Sequence, residues 1–179
     1  MYQDEERPPY RRFPKVPIER RVYAFLIDFV TVWLVSSLLA TGIVRWLLFL
    51  LLWFGLRVFL VYTNHGQSLG RWALDMKLID ARFNKVPLLI SLAKREGIAG
   101  GGALLAMIGF NLAFVNLISA ILLVAPLLAD CGIALSDDQY QQAFHDKIAG
   151  SLVIETHRGF SLDLRLKKLL AELRRNMKK

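Results

Sequence analysis

Two long apolar runs follow one another near the start of the chain, from about Val22 to Val44 and from about Trp46 to Thr63. Each is long enough to cross a bilayer as a helix, which takes roughly 20 residues. A soluble fold would have to bury their whole circumference, whereas a surface helix keeps one polar face. The break around Thr41–Arg45 is short, so the two runs predict antiparallel neighbouring helices at 22–44 and 46–63. A third apolar stretch covers 97–133 and is interrupted by Asn111, Asn116 and Pro126. It predicts a second hairpin, of two short spans or a re-entrant pair, turning at Asn111–Asn116. Within it, Gly97 with Gly101, and Gly102 with Ala106, have the spacing of closely packing helix faces.

The segments between the apolar runs are polar. Residues 64–96 form a basic loop, in which Met76–Asp80 alternates weakly and predicts a short strand, with Arg82–Lys85 as its turn. Leu88–Arg95 predicts a short amphipathic helix along the surface. After Gly150, Ser151–Ile154 predicts a second strand, which would pair with the first in a small cytoplasmic sheet. Ser161 is placed as a helix N-cap. Beyond it Leu162, Leu166, Leu169, Leu170 and Leu173 form a stripe among Arg165, Lys167, Lys168, Arg174 and Arg175. The 156–179 segment therefore predicts a basic amphipathic helix lying on an anionic membrane surface. Residues 1–17 hold four of the six prolines and predict a disordered tail. The fold expected is an all-α membrane protein, with one domain over 18–155. It comprises a helical hairpin, a second short or re-entrant hairpin, a small cytoplasmic β element and an amphipathic C-terminal helix.

Two charges break the first two runs. Asp28 lies six residues from the start of the first and Arg57 six residues from the end of the second. At about 1.5 Å per residue both sit about 9 Å from the same end of a hairpin. A lone ionised group in hydrocarbon costs several kcal/mol, so the matching depth predicts a buried ion pair. Arg21, Ala24 and Asp28 share one helical face, and small Ala24 lets a neighbour approach it.

Composition agrees with the pattern: 55% of residues are hydrophobic and mean hydropathy is +0.39. The formal charge of +8 is placed unevenly. Lys and Arg number six in 1–21, six in 64–96 and nine in 130–179, but the first interhelical turn has only Arg45. Positive segments stay cytoplasmic, which predicts an even number of crossings with both termini inside. The membrane would be of the bacterial inner or thylakoid type. The basic excess points to anionic lipid headgroups as partner rather than to nucleic acid. The polar start is too long and acidic for a signal n-region, so the first run reads as a retained anchor. The one cysteine, Cys131, excludes an intrachain disulfide and reads as a small apolar filler.

No motif of a hydrolase, zinc protease, phosphate loop or dinucleotide site is present, and no enzyme activity, cofactor or metal is expected. His145 and Asp146 are adjacent, so their side chains point in different directions and do not form a dyad by adjacency. Asp146 is placed at the inner face, where Arg21, Lys77 or Arg95 would pair with it. His65 and His157 have no metal-site spacing.

Three short motifs resemble the RDD family of small bacterial integral membrane proteins, in family order. They are Arg21-Val-Tyr-Ala24-Phe-Leu-Ile27-Asp28, then Gly66-Gln-Ser-Leu-Gly70-Arg71, then Phe144-His145-Asp146-Lys147-Ile-Ala149-Gly150-Ser151. The resemblance makes Arg21, Asp28 and Asp146 the signature residues, and Gly66, Gly70, His145 and Gly150 a cytoplasmic motif. Ser151 stands where the family often has threonine, and Arg57 lies outside the signature. The resemblance implies a multi-pass membrane protein and, for some members, cation/proton antiport. Two functions are then open. One is a small cation/proton or solute transporter acting as an oligomer with Asp28 as its intramembrane site. The other is a non-transporting adaptor or assembly factor that holds a partner membrane protein.

The even topology has a direct test. A reporter fused after Lys179 is expected to read as cytoplasmic, and a periplasmic or lumenal signal would refute the charge assignment.

Overall fold

The computed structural model describes residues 16–113, 115–137, 141–156 and 161–162. The first hairpin is α1 (Ile18–Leu39) and α2 (Gly42–Thr63). Gly42 follows α1 after only Ala40 and Thr41, so α2 begins before Trp46 and takes in the expected turn. Such a short link forces the two helices antiparallel and side by side, and they pack on each other. Partway along, α2 widens into a π-helical turn at Gly55–Phe59, which carries Arg57.

Next come the short helix α3 (Leu69–Ala73) and strand β1 (Met76–Asp80). Helix α4 (Leu89–Leu112) follows as one continuous element. The expected surface helix at 88–95 is therefore the first part of a much longer one, which runs through Gly97 without a break. Its residues lie against α2, so packing outweighs the poor helix propensity of glycine. The turn falls where the asparagines place it: Asn116 caps α5 (Leu117–Gly132) by accepting from the Ser119 N–H at 3.2 Å. A 3-10 turn, Ile133–Ser136, extends α5. Helix α6 (Phe144–Ala149), with Gly150 as its C-cap, leads into β2 (Ser151–Glu155). The two strands pair antiparallel as anticipated, with Met76 opposite Glu155 and Asp80 opposite Ser151. The tail at 1–15 and most of the basic helix beyond Ser161 lie outside the described residues.

Among the described residues three helices are long and apolar enough to cross a membrane: α1, α2 and α5 with its 3-10 extension. Their outward faces carry large exposed apolar side chains, such as Leu38, Leu47, Leu51, Ile121 and Leu122. A bilayer solvates such faces, whereas water would not. Helix α4 has comparable length but carries Arg95 and Glu96, both buried, among its glycines. It packs against α2 on one side and α5 on the other. The core between the helices joins Phe29, Val32, Phe49 and Trp53 to Ala99, Ala103, Ala106 and Met107. Small residues on α4 thus make room for the aromatics of α1 and α2. Gly97 and Gly101 are not the close-packing pair, because nothing lies within 4 Å of where their Cβ atoms would be. Gly100, against Trp53, and Gly109, against the Ala120 carbonyl and Leu123, occupy the tight positions, while Gly102 has ordinary room beside Leu127.

At the polar end, the loop after α2 is pinned by two glycines. Gly66 has a φ of +89°, and its carbonyl accepts from the Leu78 N–H at 2.8 Å. A Cβ there would run into the Leu78 carbonyl. Gly70 sits against α1, and a Cβ on it would run into the Ala24 carbonyl. Backbone on both sides leaves neither clash a flexible group to move. Gly70→Ala is expected to lower the stability of the detergent-solubilised protein by about 1–3 kcal/mol or more. Gly101→Ala, with open space around it, is expected to be neutral or to stabilise by up to about 1 kcal/mol. Thermal unfolding of the two variants checks this; equal midpoints would refute the close approach of α3 to α1.

Candidate functional site

Asp28 is fully buried on α1. A carboxylate there needs donors, since burying it unpaired costs far more than a hydrogen bond returns. It has three. Arg57 Nη1 lies 2.9 Å from Oδ2, Ser68 Oγ donates to Oδ2 at 2.7 Å, and the Gly70 N–H donates to Oδ1 at 2.7 Å. The ion pair expected from matching depth is therefore present. The other two donors belong to the start of α3, where Ser68 is the N-cap. Ala24, one turn before Asp28, lets Gly70 come close enough for its N–H to reach.

Arg57 reaches a second carboxylate. Its Nε donates to Glu96 Oε2 at 2.7 Å, and its Nη2 lies 3.3 Å from Glu96 Oε1. The guanidinium also stacks over Trp53, 4.9 Å from the ring centroid, and over Phe25 at 5.3 Å. A π turn shifts the helix register locally and is common at functional sites. Here it carries Arg57, which joins α1 and α4 through Asp28 and Glu96. Glu96 is fully buried on α4 and also accepts from Arg95 and, at 3.3 Å, from Arg71 Nη2. Depth counting missed Glu96 and Arg71. The alternation of basic and acidic residues at Arg95-Glu96 inside a helix was the available signal.

Asp146 on α6 forms the second centre. Arg95 Nε donates to its Oδ1 at 2.8 Å, Arg21 Nη2 bonds its Oδ2, and the Ala143 N–H donates to Oδ2 at 3.3 Å. Two of the three expected partners, Arg21 and Arg95, are thus in place. Lys77 makes no bond to Asp146 among the described residues. Burial disfavours the charged carboxylate, but Arg95 and Arg21 outweigh it and hold Asp146 well below the usual carboxylate range. His145 bonds a different acid, Asp130, while its Nε2 also lies 3.5 Å from Asp146 Oδ1. Its Nδ1 bonds Asp130 Oδ2, and its backbone N–H donates to Asp130 Oδ1 at 2.9 Å. Arg95 Nη2, which can only donate, lies 3.1 Å from His145 Nε2. That ring nitrogen therefore accepts, and the proton sits on Nδ1.

The two centres form one chain of charge from Asp28 through Arg57, Glu96 and Arg95 to Asp146 and Arg21. Arg71 is its weakest member. Burial, helped by Arg95 and Arg57, pulls its guanidinium down to about 9. Of the three signature residues, Arg21 pairs with Asp146, while Asp28 takes Arg57 instead. Among the described residues, no cluster of three His, Cys, Asp or Glu side chains is placed to hold a metal ion. The arrangement can lock helices together, exchange partners around Arg57, or receive an anion.

Removing the Asp146 charge separates its role from its volume. Its carboxyl titrates lower in the folded chain than in the unfolded one, so the folded chain binds fewer protons in acid. Stability is then fully present above about pH 5 and falls as pH drops. Asp146→Asn is expected to cost about 3–5 kcal/mol at neutral pH, because Arg95 and Arg21 lose a buried partner. It should also make the acid decline between about pH 5 and pH 2 shallower. Unfolding midpoints across that range check both; an unchanged slope would exclude Asp146 as the ionised partner.

The three short motifs supply Arg21, Asp28, Arg71 and Asp146 to this network, while Arg57, Arg95 and Glu96 come from outside them. A family model described as RDD family matches residues 15–150, which takes in every ionised residue of the network. No curated protein and no solved structure matches the chain. With most of its length inside that match and three helices fit to cross a bilayer, the chain is a membrane protein and belongs to the RDD family.

Proposed function

We propose that this chain is a small, non-enzymatic cation/proton or solute transporter, working as an oligomer in a bacterial-type inner or thylakoid membrane with both termini cytoplasmic. One observation carries the reading: Arg57 bridges two buried carboxylates on different helices, Asp28 on α1 and Glu96 on α4. A protonated Asp28 would release Arg57 to Glu96 alone, while Ser68 and Gly70 still hold the neutral acid. The α1–α2 contact would then loosen relative to α4, which is the kind of two-arrangement element that transport needs. So few helices leave little room for a path within one protomer, so the path would lie between subunits.

A second reading has its own support. Asp28 is saturated by three donors and fully buried, as a structural lock would be. On this reading the chain is an adaptor or assembly factor that holds a partner membrane protein. Reconstitution in liposomes distinguishes the two. The purified protein is expected to dissipate an imposed proton or monovalent-cation gradient, and Asp28→Asn is expected to cut the rate at least about tenfold while the protein stays folded. Absence of flux from wild-type protein, with a stoichiometric partner retained in mild detergent, would establish the adaptor instead.

A further inference from the structure

A cavity of about 220 Å³ lies between α1, α5 and the sheet. Its surface is mostly apolar; the polar groups that reach it belong to Arg21, Arg57, Arg71, Arg95 and His145, and among the described residues no carboxylate lines it. The acids of the network stand behind the arginines: Asp28 and Glu96 behind Arg57, Asp146 behind Arg95 and Arg21. Asp130 is bonded by His145. Water takes about 30 Å³ per molecule in the liquid, so the space holds a group the size of a phosphate.

Arg71 is the odd member of this wall. Arg57 and Arg95 each hold two carboxylates, and Arg21 holds one with a Gln141 carbonyl beside it. Arg71 has only one long bond, 3.3 Å, to a Glu96 oxygen that Arg57 and Arg95 already share. It is 3% exposed, and its Nη1 has no partner among the described residues. A buried guanidinium nitrogen left unpaired costs several kcal/mol unless something supplies an acceptor. Burial first, and then the neighbouring Arg95 and Arg57, lower the Arg71 guanidinium. A guanidinium fork suits the paired oxygens of a phosphate.

The apolar part of the lining says where the phosphate comes from. It includes Val22 and Leu26 of α1 and Leu127 and Leu128 of α5. Val22, Leu26 and Leu128 are exposed on helices apolar enough to face lipid. Among the described residues α1 packs mainly on α2 and α3 and α5 mainly on α4, which leaves a cleft between α1 and α5 that both helices line. We infer that the cavity binds the phosphate of an anionic membrane lipid, with Arg71 as its principal ligand and an acyl chain lying along the α1–α5 cleft. This site is separate from surface attraction by the basic C-terminal segment, and it holds whether or not the chain transports an ion.

The test uses the full-length protein in mild detergent, titrated with phosphatidylglycerol and read by native mass spectrometry. Wild type is expected to bind about one lipid per chain, at least about tenfold more tightly than phosphatidylcholine. Arg71→Gln is expected to lose that preference while keeping its lipid-free unfolding midpoint, because Arg71 makes one weak bond. Leu128→Trp, which narrows the apolar part of the cavity without touching the network, is expected to weaken phosphatidylglycerol as well, and it decides the matter if Arg71→Gln fails to fold. Both variants keep the basic tail, so undiminished binding in them would assign the lipid to the tail and overturn the site. Inorganic phosphate that raises the unfolding midpoint as far as phosphatidylglycerol does would overturn the lipid source.

Discussion

The structure depends on burying a chain of ionised side chains at one end of a helical bundle without leaving any carboxylate alone. Asp28, Glu96 and Asp146 are each fully buried, and each is held by donors from more than one element. Removing either partner of such a pair strands a charge, which costs about 3–5 kcal/mol. The relative positions of α1, α2, α3, α4 and α6 are therefore fixed by charge as much as by apolar packing. In lipid this matters more than in water, because the hydrocarbon gives helices no hydrophobic reason to associate.

The same requirement explains the extramembrane parts. Helix α3 is only five residues long and would not hold its shape alone. It is fixed by donating two hydrogen bonds to Asp28 and by lying flat on α1 at Gly70. Helix α6 is similarly short and is held through Asp146 and His145. Strand β2 follows α6 directly, and β1 follows α3. A two-stranded sheet is marginal by itself, so its ends are anchored by the two charge centres. Sheet and bundle form one body because each strand leaves an ion-paired helix.

Sequence patterning disclosed the frame well. The hairpin, the asparagine turn, both strands and the Asp28–Arg57 pair all follow from hydropathy, spacing and depth. Depth counting works when a charge stands alone in an apolar run, as Asp28 and Arg57 do. It fails for Arg95 and Glu96, which lie where a polar segment runs into an apolar one and so resemble the end of a surface helix. Their burial depends on α2 and α6 arriving from distant parts of the chain. The π turn has no periodicity of its own, and the close approach of α3 to α1 appeared only as two spaced glycines. Ala24 was recognisable as a small residue that admits a neighbour, but not which neighbour it admits.

Arginine rather than lysine at position 57 follows from the geometry. One nitrogen, Nη1, faces Asp28 on α1, while Nε and Nη2 face Glu96 on α4. The planar fork reaches two helices at fixed angles and still presents its face to Trp53 and Phe25. An ammonium is a point charge on a flexible stem and cannot hold both acids with that geometry. The bridge also couples the two centres, since Glu96 passes the contact on to Arg95 and so to Asp146. Contacts thus run from Asp28 through two guanidinium groups to Asp146, on the helix that precedes β2. Arg71 stands beside that line, bonded to Glu96 but not needed to complete it. The network thus has one cation beyond what its own acids hold firmly, and that cation lines the cavity.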